Sequence, residues 1–150
     1  MANKKKLPWK DGQSAARNAT EVLPSLAAAF FAQGRALTPQ TASEGLHNFR
    51  IQAKRFRDTL ELFRPCYDRR LEQLLKLLRD MQQILGEMND LTTTRRLLTG
   101  YGLDQSRPHL LDSLDTRIQE KVNQFFSVWK KLFAPVRKEY RWVNYLAGRA

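Results

Sequence analysis

Four side chains that could hold an anion recur along one stretch of the sequence, "LHNFRIQAKRFRDTLELF" (residues 46–63). They are His47, Arg50, Lys54 and Arg57, separated by steps of three, four and three residues. On a helix these steps place the side chains in one row, which extends roughly 15 Å at 1.5 Å per residue. A guanidinium can bind phosphate oxygens in bidentate fashion, while Lys acts as a mobile point charge. A row of such groups suits a chain of phosphates.

The same stretch carries an apolar seam at helical spacing, made of Leu46, Phe49, Ala53, Phe56, Leu60 and Phe63. The basic row is shifted from this seam by one residue, or about 100° around the helix. It should therefore lie in the groove with a neighbouring helix, where long side chains rest their stems on apolar surface. The alternative is a solvated basic face, partly neutralised by Asp58 and Glu61. For His47 the alternatives are a phosphate donor when protonated or a structural hydrogen-bonding residue.

Further cations lie on the next predicted helix. Lys76 and Arg79 are one turn apart and off its leucine stripe, so they could extend the groove from the facing side. The alternative is a solvated face near Asp80. Arg95 and Arg96 offer the same choice, and we interpret Arg96 as a surface residue. On the last helix Lys130, Arg137 and Arg141 share roughly one face, which we interpret as a dispersed solubility surface.

Apolar periodicity predicts an all-α fold, specifically an antiparallel four-helix bundle with a long C-terminal helix bent at Pro135. Ser14 should cap the first helix, Gly34 should end it, and Pro24 should kink or divide it. The four predicted helices run from Ser14 to about Gln33, from about Ser43 to Arg64, from near Asp68 to about residue 98, and from near Pro108 onward. "TGYGLDQSRP" (residues 99–108) is predicted to be a turn-rich break.

The length and the net charge of the chain narrow the class of protein to which it can belong. The chain has 150 residues and a formal charge of +11, from 26 Lys and Arg against 15 Asp and Glu. That excess indicates a polyanionic partner such as nucleic acid, polyphosphate or an anionic membrane surface. We expect a basic flexible arm over residues 1–12 and a single domain over residues 13–150. The start, "MANKKKLPWKDG", has no apolar segment typical of a secretory signal, and no apolar run is long enough to span a bilayer.

Nothing in the sequence indicates catalysis. There is no glycine-rich phosphate loop and no carboxylate cluster suited to catalytic magnesium. The single cysteine, Cys66, allows no internal disulfide, and with only His47 and His109 there is no zinc set. We therefore expect no metal, no cofactor and no enzyme activity, and a reducing, cytoplasmic compartment.

The residues of the basic row and the next helix resemble the CHAD family, the conserved-histidine α-helical domains. The family pattern is a His, then basic residues three, seven, eight and ten positions later, then a Leu-Gly-x-x-x-Asp segment one helix on. The resemblance is specific from about residue 46 to residue 98. In this chain the pattern falls on His47, Arg50, Lys54, Arg55, Arg57, Leu85, Gly86 and Asp90.

The resemblance implies a helical bundle that binds inorganic polyphosphate through a basic surface, often in proteins found at polyphosphate granules. The usual CHAD domain is about twice this length and has two similar four-helix halves. This chain looks like one half alone, closest to the second, so we expect a homodimer that restores two bundles. Asp90 is expected to hold an arginine of the second helix in position, or to cap a helix. Asp58 stands where that half usually has an aromatic residue, and could either orient Arg57 or Lys54 or weaken anion binding.

The resulting hypothesis is a non-catalytic polyphosphate-binding protein. Arg50, Lys54 and Arg57 would make most of the contacts, with His47, Lys76 and Arg79 in support. Two alternatives stay open: a nucleic-acid-binding protein, supported only by the isoelectric point near 10.2, and a helical module that docks an acidic protein. No base-specific nucleic-acid binding and no membrane association are expected.

Overall fold

The computed structural model describes residues 6–41 and 43–149. Within them the chain forms helices and connections and no β-strand, which confirms the predicted all-α class. A short 3-10 turn, Arg64–Cys66, follows the second helix. The helices are α1 (Ala15–Arg35), α2 (Ser43–Leu62), α3 (Arg70–Gly100), α4 (Leu103–Ser106), α5 (Pro108–Leu132) and α6 (Val136–Leu146).

Helix α1 begins as predicted but continues past its expected end. The hydroxyl of Ser14 accepts a hydrogen bond from the backbone N–H of Arg17 at 3.2 Å, which satisfies one free donor of the first turn. Pro24 lies inside the helix and does not divide it. Gly34 does not end the helix either, because α1 extends to Arg35. A Cβ at Gly34 would overlap the indole of Trp129, so this glycine leaves the space in which the Trp129 side chain packs against the backbone of α1.

Helices α2 and α3 follow the apolar pattern closely. Every residue of the seam is buried, and α2 ends at Leu62, just before the turn that contains Pro65. Helix α3 passes through the "LGEMND" segment and continues to Gly100 as one uninterrupted helix. Its stripe is buried at Leu71, Leu75, Leu78, Met81 and Leu85.

The C-terminal region differs from the single bent helix that the sequence predicted. Helix α5 ends at Leu132 and α6 begins at Val136, with Pro135 as the residue that precedes it. Because the break changes the direction of the chain, Val136 does not continue the buried stripe of α5 and is 76% exposed. The residues of α6 that are buried are Trp142 and Leu146.

Aromatic rings make the centre of the core. Phe30 of α1 stacks on Phe56 at 5.0 Å and on Phe49 at 5.5 Å, and its ring meets Trp129 edge-on at 5.8 Å. Such offset and edge-on pairs are the favourable aromatic geometries. The aromatic residues Phe125 and Trp129 of α5 face this core and are buried.

Helix α3 lies between α2 and α5 and is antiparallel to both. His47 of α2 faces Asn89 of α3, while Glu61, fourteen residues later, faces Arg79. On the other side Glu87 pairs with Lys121 of α5. Antiparallel packing thus places the basic row of α2 along the groove that α2 forms with α3.

The N-terminal residues that the structure describes contact the helices. Trp9 stacks on Phe63 with ring centroids 6.2 Å apart. The backbone N–H of Lys10 donates to the side-chain oxygen of Asn18 at 2.9 Å, and Asn18 is buried. Of the arm predicted over residues 1–12, residues 1–5 lie outside the described residues. No helix within residues 6–41 and 43–149 is long and apolar enough to cross a bilayer.

Candidate anion-binding groove

A cleft of about 540 Å³ opens between the start of α2 and the second half of α3. We call it the α2–α3 cleft. Its cationic side chains are His47, Arg50 and Arg96, and Glu44 is the acid that lines it. It is lined by Ser43, Glu44, Leu46, His47, Arg50, Leu85, Met88, Asn89, Thr92, Thr93 and Arg96.

Arg50 is the half-buried cation of this cleft. Its Nε–H is shielded from water and has no hydrogen-bond acceptor among the described residues. Its guanidinium forms no salt bridge within residues 6–41 and 43–149, although α2 contains three acids, Glu44, Asp58 and Glu61. A buried donor without an acceptor lowers stability, and Nε of Arg57 in the same row is likewise shielded and without an acceptor. Arg50 differs from Arg57 in having no carboxylate partner among the described residues.

His47 is held in place across the groove. Its Nδ1 lies 3.0 Å from the side-chain oxygen of Asn89, a residue of the "LGEMND" segment. If this oxygen accepts from Nδ1–H, Nε2 is the remaining ring nitrogen, and it becomes a donor when the imidazole is protonated. The structure therefore gives His47 a structural contact and leaves one nitrogen for a ligand.

Arg96 is exposed, as the sequence predicts, and it also lines the cleft. The signal that could have found it is spacing. Counted from Leu85, the residues Asn89, Thr92 and Arg96 follow at steps of four, three and four, which keeps them on one face of α3. Arg95, the residue before Arg96, does not line the cleft. Its guanidinium makes a bidentate pair with Asp115 of α5. That pair lowers the pKa of the Asp115 carboxyl below its usual value.

Arg57, at the other end of the basic row, is surrounded by acids. It donates from Nη2 to Asp58 at 3.3 Å, and its Nε lies 3.5 Å from Glu61, too far for a good hydrogen bond. Arg79 of α3 approaches the same Glu61 at 3.8 Å. Asp58 pairs with Arg57, and this contact is compatible with both roles that the sequence leaves open, orienting Arg57 or weakening anion binding.

The remaining predicted residues are more dispersed. Lys76 pairs with Asp80 one turn along α3 at 2.6 Å, and it does not line the α2–α3 cleft. Lys54 is exposed and makes no salt bridge with any described residue. Asp90 is exposed, and no hydrogen bond or salt bridge joins it to an arginine of α2 within the described part of the chain.

The α2–α3 cleft thus combines cations, hydroxyls and an amide above an apolar floor. Glu44 lies in the first turn of α2, where a carboxylate interacts favourably with the helix dipole. Glu87 of α3 is engaged by Lys121 of α5, which lowers the pKa of its carboxyl. Within residues 6–41 and 43–149, no three His, Cys, Asp or Glu side chains are grouped so as to hold a metal ion. The described residues of the cleft therefore offer positive charge and hydrogen-bond donors but no group of metal ligands.

The family model of the CHAD domain matches residues 2–99 of the chain, and the chain therefore belongs to the CHAD family. The matched range contains the basic row, the "LGEMND" segment and Arg96. The CHAD domain is associated with polyphosphate binding in general. No curated protein and no solved structure matches the chain.

Proposed function

We propose that this protein binds inorganic polyphosphate and does not catalyse a reaction on it. The observation behind the proposal is the state of Arg50. Its guanidinium is half-buried beside His47 and Arg96, has no acidic partner among the described residues, and retains a shielded Nε–H without an acceptor. A phosphate group would supply the missing charge and the missing acceptor together.

The chain of phosphates would start in the α2–α3 cleft and follow the groove along α2. Lys54 is the next cation of the row and extends into solvent. Beyond it, Arg57 and Arg79 can bind phosphate only by exchanging Glu61 or Asp58 for it. We therefore assign the strongest contacts to Arg50 and Arg96, weaker ones to His47 and Lys54, and the weakest to Arg57 and Arg79.

The assembly and location of the protein belong to the same proposal. A chain that resembles one half of a two-bundle family would restore the second bundle by forming a homodimer. We propose that it acts in the cytoplasm, at polyphosphate granules. Sedimentation at micromolar concentration tests the dimer, and a monomer there would contradict it.

The experiment that tests the function is a salt titration of binding to long-chain polyphosphate. The wild type is compared with Arg50→Ala/Arg96→Ala, and with the control Arg55→Ala/Arg137→Ala. The control removes the same charge from two exposed arginines that form no salt bridge with a described residue. Duplex DNA at equal phosphate concentration is the competitor.

We expect polyphosphate to win over DNA, and the Arg50/Arg96 variant to lose affinity while the control retains it. The slope of log affinity against log salt should become shallower by about two, roughly one for each lost contact. Equal losses in both variants would mean that net charge alone accounts for binding. Effective competition by DNA would favour a nucleic-acid-binding protein, and capture of an acidic protein that survives polyphosphatase treatment would favour a docking module.

A further inference from the structure

A second cleft, of about 470 Å³, lies between the first half of α3, the end of α5 and α6. We call it the α3–α6 cleft. Its floor is mostly apolar and includes Leu74, Leu77 and Leu132, all partly exposed. The volume is within the range of about 300–1,000 Å³ typical of small-molecule sites. Its floor is more apolar than that of the α2–α3 cleft, so it suits a ligand with an apolar body.

Among the described residues, three cations border this apolar floor and no acid lines the cleft. Lys138 and Arg141 form no salt bridge with a described residue. Glu139, between them in sequence, is engaged by Arg35 of α1. The positive charge of Lys138 and Arg141 is therefore unbalanced at the edge of an apolar surface.

The third cation, Arg70, belongs to a fixed wall of the α3–α6 cleft. Its Nε donates to Asp68 at 3.0 Å, and its guanidinium lies 4.8 Å from the centre of the Tyr145 ring. The hydroxyl of Tyr145 donates to the same Asp68 at 2.8 Å. The hydrogen bonds from Arg70 and Tyr145 lower the pKa of Asp68 to about 2. Because Asp68 balances the charge of Arg70, the excess positive charge of the cleft comes from Lys138 and Arg141.

We propose that the α3–α6 cleft binds a small anionic amphiphile, an aliphatic chain that ends in a carboxylate. The aliphatic chain would cover Leu74, Leu77 and Leu132, and the carboxylate would meet Lys138 and Arg141. An uncharged apolar molecule would cover the floor but leave the two cations without a partner. A bare phosphate chain would satisfy the cations but leave the apolar floor in water. Only a ligand with both parts fits the whole cleft.

This site is independent of the polyphosphate proposal, because the two clefts share no lining residue. The probes are octanoate below its micelle-forming concentration, octanol, which lacks the charge, and acetate, which lacks the chain. Binding is measured by titration calorimetry on the full chain. We expect octanoate to bind with one ligand per chain, at least tenfold tighter than octanol, and acetate not to bind.

The decisive variant is Lys138→Glu/Arg141→Glu, in which the carboxylate would meet like charge. We expect its affinity for octanoate to fall at least tenfold. The control Lys130→Glu/Arg137→Glu makes the same change of charge at two exposed residues that do not line the cleft, and should bind octanoate within twofold of wild type. Arg50→Ala/Arg96→Ala should also bind octanoate normally, which separates this site from the polyphosphate groove.

Several results would overturn the proposal. These are no binding of octanoate, binding of octanoate no tighter than that of octanol, and a loss of affinity in the control variant as large as that in the cleft variant. A dimer in sedimentation that the Lys138/Arg141 variant dissociates would also overturn it, because a second copy of the chain would then occupy the cleft.

Discussion

The two ends of the basic row on α2 have similar residue types but different surroundings. At the start of α2, Arg50 lies beside Arg96 and His47 and has no carboxylate partner among the described residues. One and a half turns before the end of α2, Arg57 is held by Asp58 and Glu61, and Arg79 shares Glu61 with it. The comparison teaches that the number of cations in a groove does not give its capacity for anions. What matters is how many of them lack an internal partner.

The largest expected effect compares the two ends directly. Arg50→Ala/Arg96→Ala and Arg57→Ala/Arg79→Ala remove the same charge, so net charge cannot distinguish them. A charge-assisted hydrogen bond contributes roughly 1.5–3 kcal/mol when no internal pair must break, and the lower end of this range is about tenfold in affinity. We expect polyphosphate affinity to fall about a hundredfold in the first variant and tenfold or less in the second, measured by equilibrium titration. Equal losses would show that the acids of α2 do not matter to binding.

A second variant removes the acids around Arg57, so that this end of the basic row should resemble the end at Arg50. Asp58→Asn/Glu61→Gln leaves Arg57 and Arg79 without carboxylate partners, so we expect polyphosphate to bind about fivefold tighter at low salt. The control Asp112→Asn/Glu120→Gln makes the same change of charge on exposed residues of α5. If the control tightens binding as much, the gain comes from net charge and the comparison fails.

Two lysines allow the same comparison between an unpaired and a paired cation. The expected effect on polyphosphate affinity is smaller. Lys54 has no salt bridge within the described residues, whereas Lys76 is paired with Asp80. We expect Lys54→Ala to weaken polyphosphate binding about threefold and Lys76→Ala to leave it within the error of a titration. A larger loss for Lys76→Ala would extend the binding groove along α3, as the sequence had predicted.

The smallest expected effect concerns the position of His47. Asn89→Ala removes the oxygen that faces Nδ1, so we expect about a twofold loss of affinity because an exposed side chain loses its orientation. The ring signals of the two histidines in an NMR spectrum provide the measurement. Polyphosphate should shift the signals of His47 in the wild type, shift them less in the variant, and leave those of His109 unchanged. Unaltered His47 signals in the wild type would mean that His47 is structural only.

Much of the fold could be predicted from local sequence. The seam of α2 and the stripe of α3 follow from apolar spacing, and both are buried as predicted except for Leu74 of α3, which is partly exposed. The predictions for Gly34 and Pro135 were less accurate, because each depends on a distant partner. Gly34 allows close contact with Trp129, and Pro135 separates α5, which packs on α3, from α6, which packs on α1.

The candidate site could be predicted only in part, because it also depends on contacts between distant residues. The row on α2 was visible in the sequence, because a helix brings residues three and four apart onto one face. Which residues of α3 would meet it could not be read from α3 alone. Arg95 and Arg96 look equivalent in sequence, yet one pairs with Asp115 of α5 and the other lines the α2–α3 cleft.

By itself the sequence determined the all-α class, the apolar seams and the presence of a cationic row, because each depends on contacts within one helix. Only the tertiary structure decided which cations remain without a partner. The pairing of a charged side chain depends on the angle at which its helix faces its neighbour. Arg95 and Arg96 are one residue apart, which is about 100° around α3. That difference places Arg95 in a salt bridge and Arg96 at the α2–α3 cleft.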